Sequence, residues 1–437
     1  MRSTPSIIFA FFAFLITIPG CSPKDKGNVN ARVRITFSNG KYAILKNGKP
    51  FPIKGASGTT NFDALKKFGG NSVRIWDTTN VKQVLDSAIA KGISVIVGIP
   101  LPESKQLSYY DDTVRVSKDF KKIKNLVHKI KSSSAVLMWC VGNELSFPNK
   151  PSYNNFYKAF NNIVDMIHKD DPDHPVLTTM VNFQRNDIIN IKFRTDVDII
   201  SFNIFSRISE LKDDLKSFSW LWNGPYLITE WGIDGPWDKA PGTAWNAKIE
   251  PTSTQKAGKY LTRYKNYMPT DDPRFLGSFI FFWGQKQEIT HTWFSMFDEF
   301  GNTTEAVYTA SQIWTGKASA YDGPKINGIT LSKRTAIENI FIEPNAIKEA
   351  EIKVAGDTSG LTVRWEIYPE DWFKKNNVDN LIRPRPLTGL IVSQSAFKIT
   401  LKTPVTEGPY RLFSTITDKK GNVANANIPF YVLGAHE

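Results

Sequence analysis

Cysteine and histidine are scarce in this chain, two and five residues of 437, and their scarcity removes several chemistries at the outset. Cys21 and Cys140 cannot build a disulfide framework. Cys140 lies in an apolar run, Ala135-Val136-Leu137-Met138-Trp139-Cys140-Val141, and the histidine nearest to it in sequence is His128, in the preceding helical stretch. The expected role is therefore a small core residue, not a nucleophile. No C-x-x-C pair, H-E-x-x-H or EF-hand loop occurs, so neither a metal nor another cofactor is expected. Low-complexity tracts are missing as well. The apolar run from Ile7 to Ile18 is too short to span a bilayer.

That run follows Arg2 and has the length of a signal-peptide core. It ends in Ile18-Pro19-Gly20-Cys21, which resembles the bacterial lipoprotein signal, where a small residue precedes a cysteine that is lipidated and becomes the mature N-terminus. Residues 1–21 are read as this signal peptide and residues 22–31 as a polar tether. With Cys21 lipidated, no intramolecular disulfide can form. An ordinary secretory signal cleaved nearby is the other reading, and it leaves a lone cysteine here unexplained. The expected location is the bacterial cell envelope, with a lipid anchor in the outer membrane on its periplasmic or surface face.

The formal charge of +13 invites a nucleic-acid or membrane-surface reading. The lysines are scattered, however: Lys118, Lys121 and Lys122 are spaced as a solvated helix face opposite Phe120 and Ile123. This argues against nucleic acid and leaves a mild preference for anionic surfaces. A monomer is expected.

From about residue 53, short apolar runs alternate with amphipathic helical stretches, the pattern of a parallel sheet. Strand candidates begin near Ile53, Ser72, Ser94, Ala135, Val176, Val197, Tyr226 and Ser278, and eight βα units over this span make a closed (β/α)₈ barrel. Gly92 caps one helix, and Pro251-Thr252-Ser253-Thr254-Gln255 opens another with a capping hydroxyl. Asn39-Gly40 and Asn47-Gly48 signal two hairpins before the first barrel strand. The barrel with its hairpins is assigned to residues 32–317. After a linker around Ala318–Pro324, period-two segments such as Leu361–Ile367 and Arg411–Ile416 predict a small all-β, immunoglobulin-like sandwich over residues 325–437, with a hairpin at Asp418–Asn422. The fold class is α/β with this all-β addition.

Two glutamates stand where apolar strands run into loops: Glu144 after Val141-Gly142-Asn143, and Glu230 in Leu227-Ile228-Thr229-Glu230-Trp231-Gly232. Ionised carboxylates are costly to desolvate and rarely end an apolar strand without a task. In parallel barrels catalytic groups gather at the strands' C-terminal ends, so these two would face one another across the mouth. Glycoside cleavage needs such a pair, one group protonating the leaving oxygen and the other attacking or activating water at the anomeric carbon.

Over about residues 45–317 the chain resembles the clan A retaining glycosidases, especially the barrels of glycoside hydrolase family 2. The resemblance implies Glu144 as acid/base, Asn143 as its neighbour on the sugar 2-hydroxyl, and Glu230 as nucleophile. It also implies Arg74, in Ser72-Val73-Arg74-Ile75-Trp76, as the arginine that keeps the nucleophile ionised, and Trp283 as the aromatic platform under the sugar. Taken singly, Arg74 also reads as a structural ion-pair partner and Trp283 as core. Two departures stand out: the region after strand three, Val97–Glu103, lacks the family's histidine, and Asn203-Ile204-Phe205-Ser206 lacks the usual tyrosine or histidine after strand six. Asn203, Ser206 or another loop is expected to bond Glu230 instead.

Trp231, Gln285, Gln287 and Glu288 are further substrate-binding candidates, and Trp237 and Trp245 offer stacking surfaces. A barrel followed directly by a sandwich also resembles the family 158 endo-β-1,3-glucanases, so a β-glucan is the expected carbohydrate substrate, β-1,3-linked first. A transglycosidase on the same scaffold and a non-catalytic surface glycan-binding lipoprotein are the rival readings.

Overall fold

A computed structural model describes residues 31–238, 240–373 and 382–434. The assigned leader, Cys21 and almost all of the tether lie outside the described residues. The first described segment is an antiparallel sheet of β1 (Val33–Ser38), β2 (Lys41–Lys46) and β3 (Lys49–Pro50). Asn39 and Gly40 have φ of 52° and 75°, Asn47 and Gly48 of 51° and 75°. Two successive positive φ values give the turn whose twist matches a hairpin. Val33, Ile35, Tyr42 and Ile44 pack from this sheet onto Met138, Cys140, Leu177, Leu227 and Phe279 inside the barrel. The sheet thus closes the end at which the barrel strands begin: Val33 N–H donates to Asp173 O (2.9 Å) and Tyr42 N–H to Pro273 O (2.8 Å).

The closed barrel consists of β4 (Gly55–Ser57), β5 (Ser72–Ile75), β6 (Ser94–Ile99), β7 (Val136–Val141), β8 (Val176–Val181), β9 (Ile199–Asn203), β10 (Tyr226–Trp231) and β11 (Phe275–Ile280), hydrogen-bonded in sequence order with β11 returning to β4. Its strands are covered on both faces, which is why β6 and β7 are buried at every position and read as unbroken apolar runs. Around them lie α1 (Phe62–Lys67), α2 (Val81–Lys91), α3 (Leu107–Asp111), α4 (Thr113–Ile130), α5 (Asn154–Asp170), α6 (Arg185–Arg194), α7 (Leu211–Ser217), α8 (Ser253–Tyr267) and α9 (Glu305–Thr315). All eight expected strands are present. The last begins at Phe275, ahead of Ser278, because Gly277 marks a bulge in the ladder to β10 and not its start.

Beyond α9 come β12 (Lys325–Leu331), β13 (Phe341–Ile342), β14 (Ile347–Ala355), β15 (Thr362–Pro369), β16 (Ile391–Ser395), β17 (Lys398–Lys402), β18 (Gly408–Thr417) and β19 (Val423–Val432). They form two four-stranded sheets, β12-β14-β17-β16 and β13-β19-β18-β15, around a second core that includes Leu331, Ile352, Trp365, Leu412 and Phe430. The sandwich is welded to the barrel through buried polar groups. Glu250 accepts from Thr290 Oγ1 (2.6 Å), Thr292 Oγ1 (2.8 Å), the Lys256 ammonium and Asn427 Nδ2 of β19 (2.6 Å). Arg411 of β18 holds Glu370 (2.6 Å) and reaches back to Lys248 O (2.8 Å).

Candidate active site

The two glutamates reach the barrel mouth by different local routes. Glu230 lies within β10 and is buried. Glu144 lies three residues past the end of β7, with a left-handed φ of 55°. That conformation costs of order 1–3 kcal/mol for such a residue and is held here by its surroundings. Gly142, at φ 76°, permits the turn: a Cβ there would lie 2.2 Å from Leu145.

One hydrogen-bonded chain joins the two carboxyls. The fully buried Arg74 of β5 gives one guanidinium nitrogen to Glu230 and another to the Asn143 side-chain oxygen. Asn203, closing β9, donates to that same Asn143 oxygen (3.3 Å) and to Glu144 Oε1 (2.9 Å). Thr229 Oγ1 donates to Asn203 Oδ1 (2.9 Å) and so fixes which end of the amide faces the glutamate. Of the sources expected for a bond to Glu230, Asn203 serves Glu144 instead. Ser206 bonds Asp238 (2.7 Å) in the loop after β10 and does not serve Glu230 either.

Glu230's second donor is Trp76, whose indole N–H lies 2.6 Å from Oε1. Sequence reading missed this residue, although period-two alternation from Arg74 puts it on the same face of the chain. Gly98 of β6 makes room for it, since a Cβ there would lie 2.4 Å from the Trp76 carbonyl oxygen. Glu144 opens to solvent at the mouth, yet the surrounding protein still strips water from its carboxyl. That desolvation is the largest cause of a pKa raised above the ordinary glutamate range; the charge of Glu230 adds to it, Asn203 and Arg74 oppose it, and Glu288 raises it further.

Several aromatic expectations are corrected. Trp283 is fully buried and leaves no ring face free: its N–H donates to Asn61 O (3.1 Å) and its ring packs on Phe297 and on Trp314 of α9. Phe282, partly exposed, stacks on Trp76, the donor to Glu230, at 5.8 Å, and Phe281 meets the same indole edge-on at 5.9 Å. Trp231 is also core, against Tyr260 and Tyr264 of α8, because its neighbour Glu230 takes the inward side of β10. Trp245 packs on Phe341 and Tyr431 of the sandwich. Trp237 is 57 % exposed and in contact with Phe205 and Phe294. In the loop after β11, Gln285 is exposed, Glu288 pairs with Lys286 (2.6 Å), and Gln287 turns to a small crevice shared with Tyr368, Arg411 and Phe413 at the domain seam. The backbone pairing of Glu288 with Thr290, and the bond from Thr290 to Glu250, direct Gln287 there and away from the carboxylates. Cys140 is buried, with its thiol pushed up by burial.

No protein-family profile matches the chain, and no curated protein matches it in sequence. Among solved structures, a Faecalibacterium prausnitzii β-glucuronidase aligns over 66 % of this chain at 16 % identity and a TM-score of 0.51. A Bifidobacterium dentium β-glucuronidase complexed with coumarin-3-O-glucuronide gives 66 %, 16 % and 0.52, and a Bacteroides uniformis β-glucuronidase gives 92 %, 11 % and 0.51. An Eisenbergiella tayi β-galacturonidase of glycoside hydrolase family 2 aligns over 67 % at 15 % identity and 0.50. The shared feature is the fold. This chain shares the barrel fold of these structures and spans about half their length: 52 %, 50 %, 48 % and 55 % in the order given.

Proposed function

We propose that the protein is a retaining β-glycoside hydrolase in which Glu230 is the nucleophile and Glu144 the acid/base. The observation that carries the reading is the bonded chain Glu230–Arg74–Asn143–Asn203–Glu144, which joins a carboxyl on β10 to one just past β7 in unlike environments. Arg74 and Trp76 orient the Glu230 carboxylate for attack on the anomeric carbon, while protonated Glu144 delivers its proton to the departing oxygen. Esterification of Glu230 then removes the negative charge that helped raise Glu144. The acid thereby becomes a stronger acid and, once ionised, the base that deprotonates the incoming water. Both bonds onto Asn143 fall on its oxygen, which leaves the amide NH₂ to meet a sugar hydroxyl.

The substrate we propose is a β-glucan, β-1,3-linked first, on the barrel-then-sandwich domain order that resembles the family 158 glucanases and on the partly exposed rings of Trp76, Phe282 and Trp237. The protein is further proposed to act as a monomer at the cell envelope, held there by lipid on Cys21. The test is reducing-sugar release from β-1,3-, β-1,4- and mixed-linkage glucans, mannan, galactan and uronide substrates, by wild type and by Glu230→Gln. Release by wild type alone supports the reading and names the linkage; binding without release by either protein favours a glycan-binding role instead.

A further inference from the structure

The end of the barrel opposite the carboxylates carries a charge pattern that the proposed reaction does not use. From Ala31 to Phe62 the chain contains Arg32, Arg34, Lys41, Lys46, Lys49 and Lys54 and no aspartate or glutamate. This stretch supplies β1–β3, the sheet that closes the barrel at the strands' starting ends. Its apolar face is turned inward, and alternation sends Arg34, Thr36, Lys41 and Ala43 the other way. Lys41 and Lys49 are exposed and Arg34 partly so. Arg32 and Lys46 lie on the rim, bonded to neutral groups: Arg32 to the carbonyls of Ser132 and Ser133 (both 3.1 Å), Lys46 to Ser94 Oγ (2.7 Å) and Ser134 O (3.1 Å).

The loops around this sheet do carry carboxylates, but many are already engaged. Asp170 pairs with Lys124 and His128, Asp198 with His168, Asp272 with Arg274, and Asp171 holds His174 and Trp139. At the same end, just ahead of β9 and β10, Phe193 is 66 % and Trp220 is 78 % exposed. Lys192 binds the Leu221 carbonyl and so holds the segments bearing these two rings together. Exposed aromatic rings beside cations match the headgroup layer of a bilayer, where an amphipathic ring and a positive charge both find partners.

Two further observations fix the orientation. β1 opens at this end of the barrel, so a lipid on Cys21, proposed above, would attach the chain on this side. The sandwich bonds the opposite end, at the start of α8 and the loops after β11: Thr252 to Ile326 O, Asn425 N–H to Ser253, Thr303 N–H to Gly421 O. We propose that the β1–β3 end of the barrel seats on an anionic phospholipid surface, with Arg34, Lys41 and Lys49 against the headgroups, Trp220 and Phe193 at their edge, and the mouth facing away from the bilayer. The surface belongs to the folded body; its place in the cell and the side on which the tether attaches rest on the proposed anchor.

The test is flotation of the unlipidated chain from residue 22 onward, which holds every described residue, with vesicles of phosphatidylcholine alone or with 30 mol % phosphatidylglycerol as the probe. The expected result is partitioning onto the anionic vesicles only, reduced about fivefold by each of Lys41→Gln and Lys49→Gln. Trp220→Ser should weaken it further, while Lys118→Gln and Lys121→Gln on α4 leave it unchanged. Equal partitioning onto both vesicle types, insensitivity to the β2 and β3 substitutions, an equal loss from the α4 substitutions, or preferential capture by duplex DNA at the same salt would overturn the proposal. The mass of the mature N-terminus reports separately on lipidation of Cys21, and sugar release on the proposed reaction.

Discussion

Trp76 stands two residues beyond Arg74, and together they place two donors on one carboxylate oxygen of Glu230. Removing the indole donor while keeping a ring, as in Trp76→Phe, should lower kcat/KM about 10²-fold, as loss of one preorganised donor does, with little change in unfolding midpoint. An unchanged rate would remove Trp76 from the machinery. Glu288 acts on the other carboxyl: its charge helps keep Glu144 protonated. Glu288→Gln should let Glu144 ionise at lower pH, so the alkaline limb of kcat/KM should move to lower pH, as a pH–rate profile would record. At this scale the two glutamates were legible because strand ends and their chemistry are local, while Arg74 and Asn143 were named only through the family resemblance, and the structure brings all four together. The sequence did not distinguish Trp76 from Trp283. Each follows a strand as an aromatic residue, and only the direction in which the chain leaves β5 and β11 sends one to the mouth and the other beneath α9.

The elements that were easiest to foresee are those with their own punctuation. The Asn-Gly hairpins and the helix opening at Thr252 follow from two to four residues each, and α8 does begin with a reciprocal cap between Thr252 and Gln255. Because the Thr252 hydroxyl also donates to Ile326 O, Thr252→Ala should cost about 1–2 kcal/mol, measurable by denaturant unfolding. The loop after β11 was opaque for the opposite reason. Its Gln, Glu, Thr and Trp side chains suit a sugar equally well in sequence, but Thr290 and Thr292 serve Glu250, and the Trp293 indole binds Asp234 O (3.0 Å). These bonds join segments far apart in the chain, and local pattern carries no trace of them.

For the whole molecule, barrel and sandwich are coupled through a buried ion pair with polar support. Burial pushes Glu250 up, but Lys256, the Thr290 hydroxyl and Arg411 outweigh it and hold the carboxyl below the usual range. Glu250→Gln leaves Lys256 buried without its counter-charge, and should cost about 3–5 kcal/mol in global stability. Separate unfolding of the two domains in the wild type would contradict that coupling. His291 lies in the same seam against Phe413 (4.4 Å) and Tyr368, its pKa pushed down to about 3 by burial first and by Arg383 next, with Glu250 and Glu299 opposing. Above about pH 6.5 it is neutral folded and unfolded alike; below that only the unfolded chain takes up a proton readily, so stability is lost progressively towards pH 3. Thermal midpoints across this range should fall less steeply in His291→Phe. The central claim is double displacement by Glu230 and Glu144, and the most direct measurement is the anomeric configuration of the first product, read by proton NMR on whichever β-glycoside of the panel releases sugar. The β-anomer appearing first, with Glu230→Gln inert, is the predicted result; an α-anomer first, or turnover that survives the loss of Glu230, would contradict it.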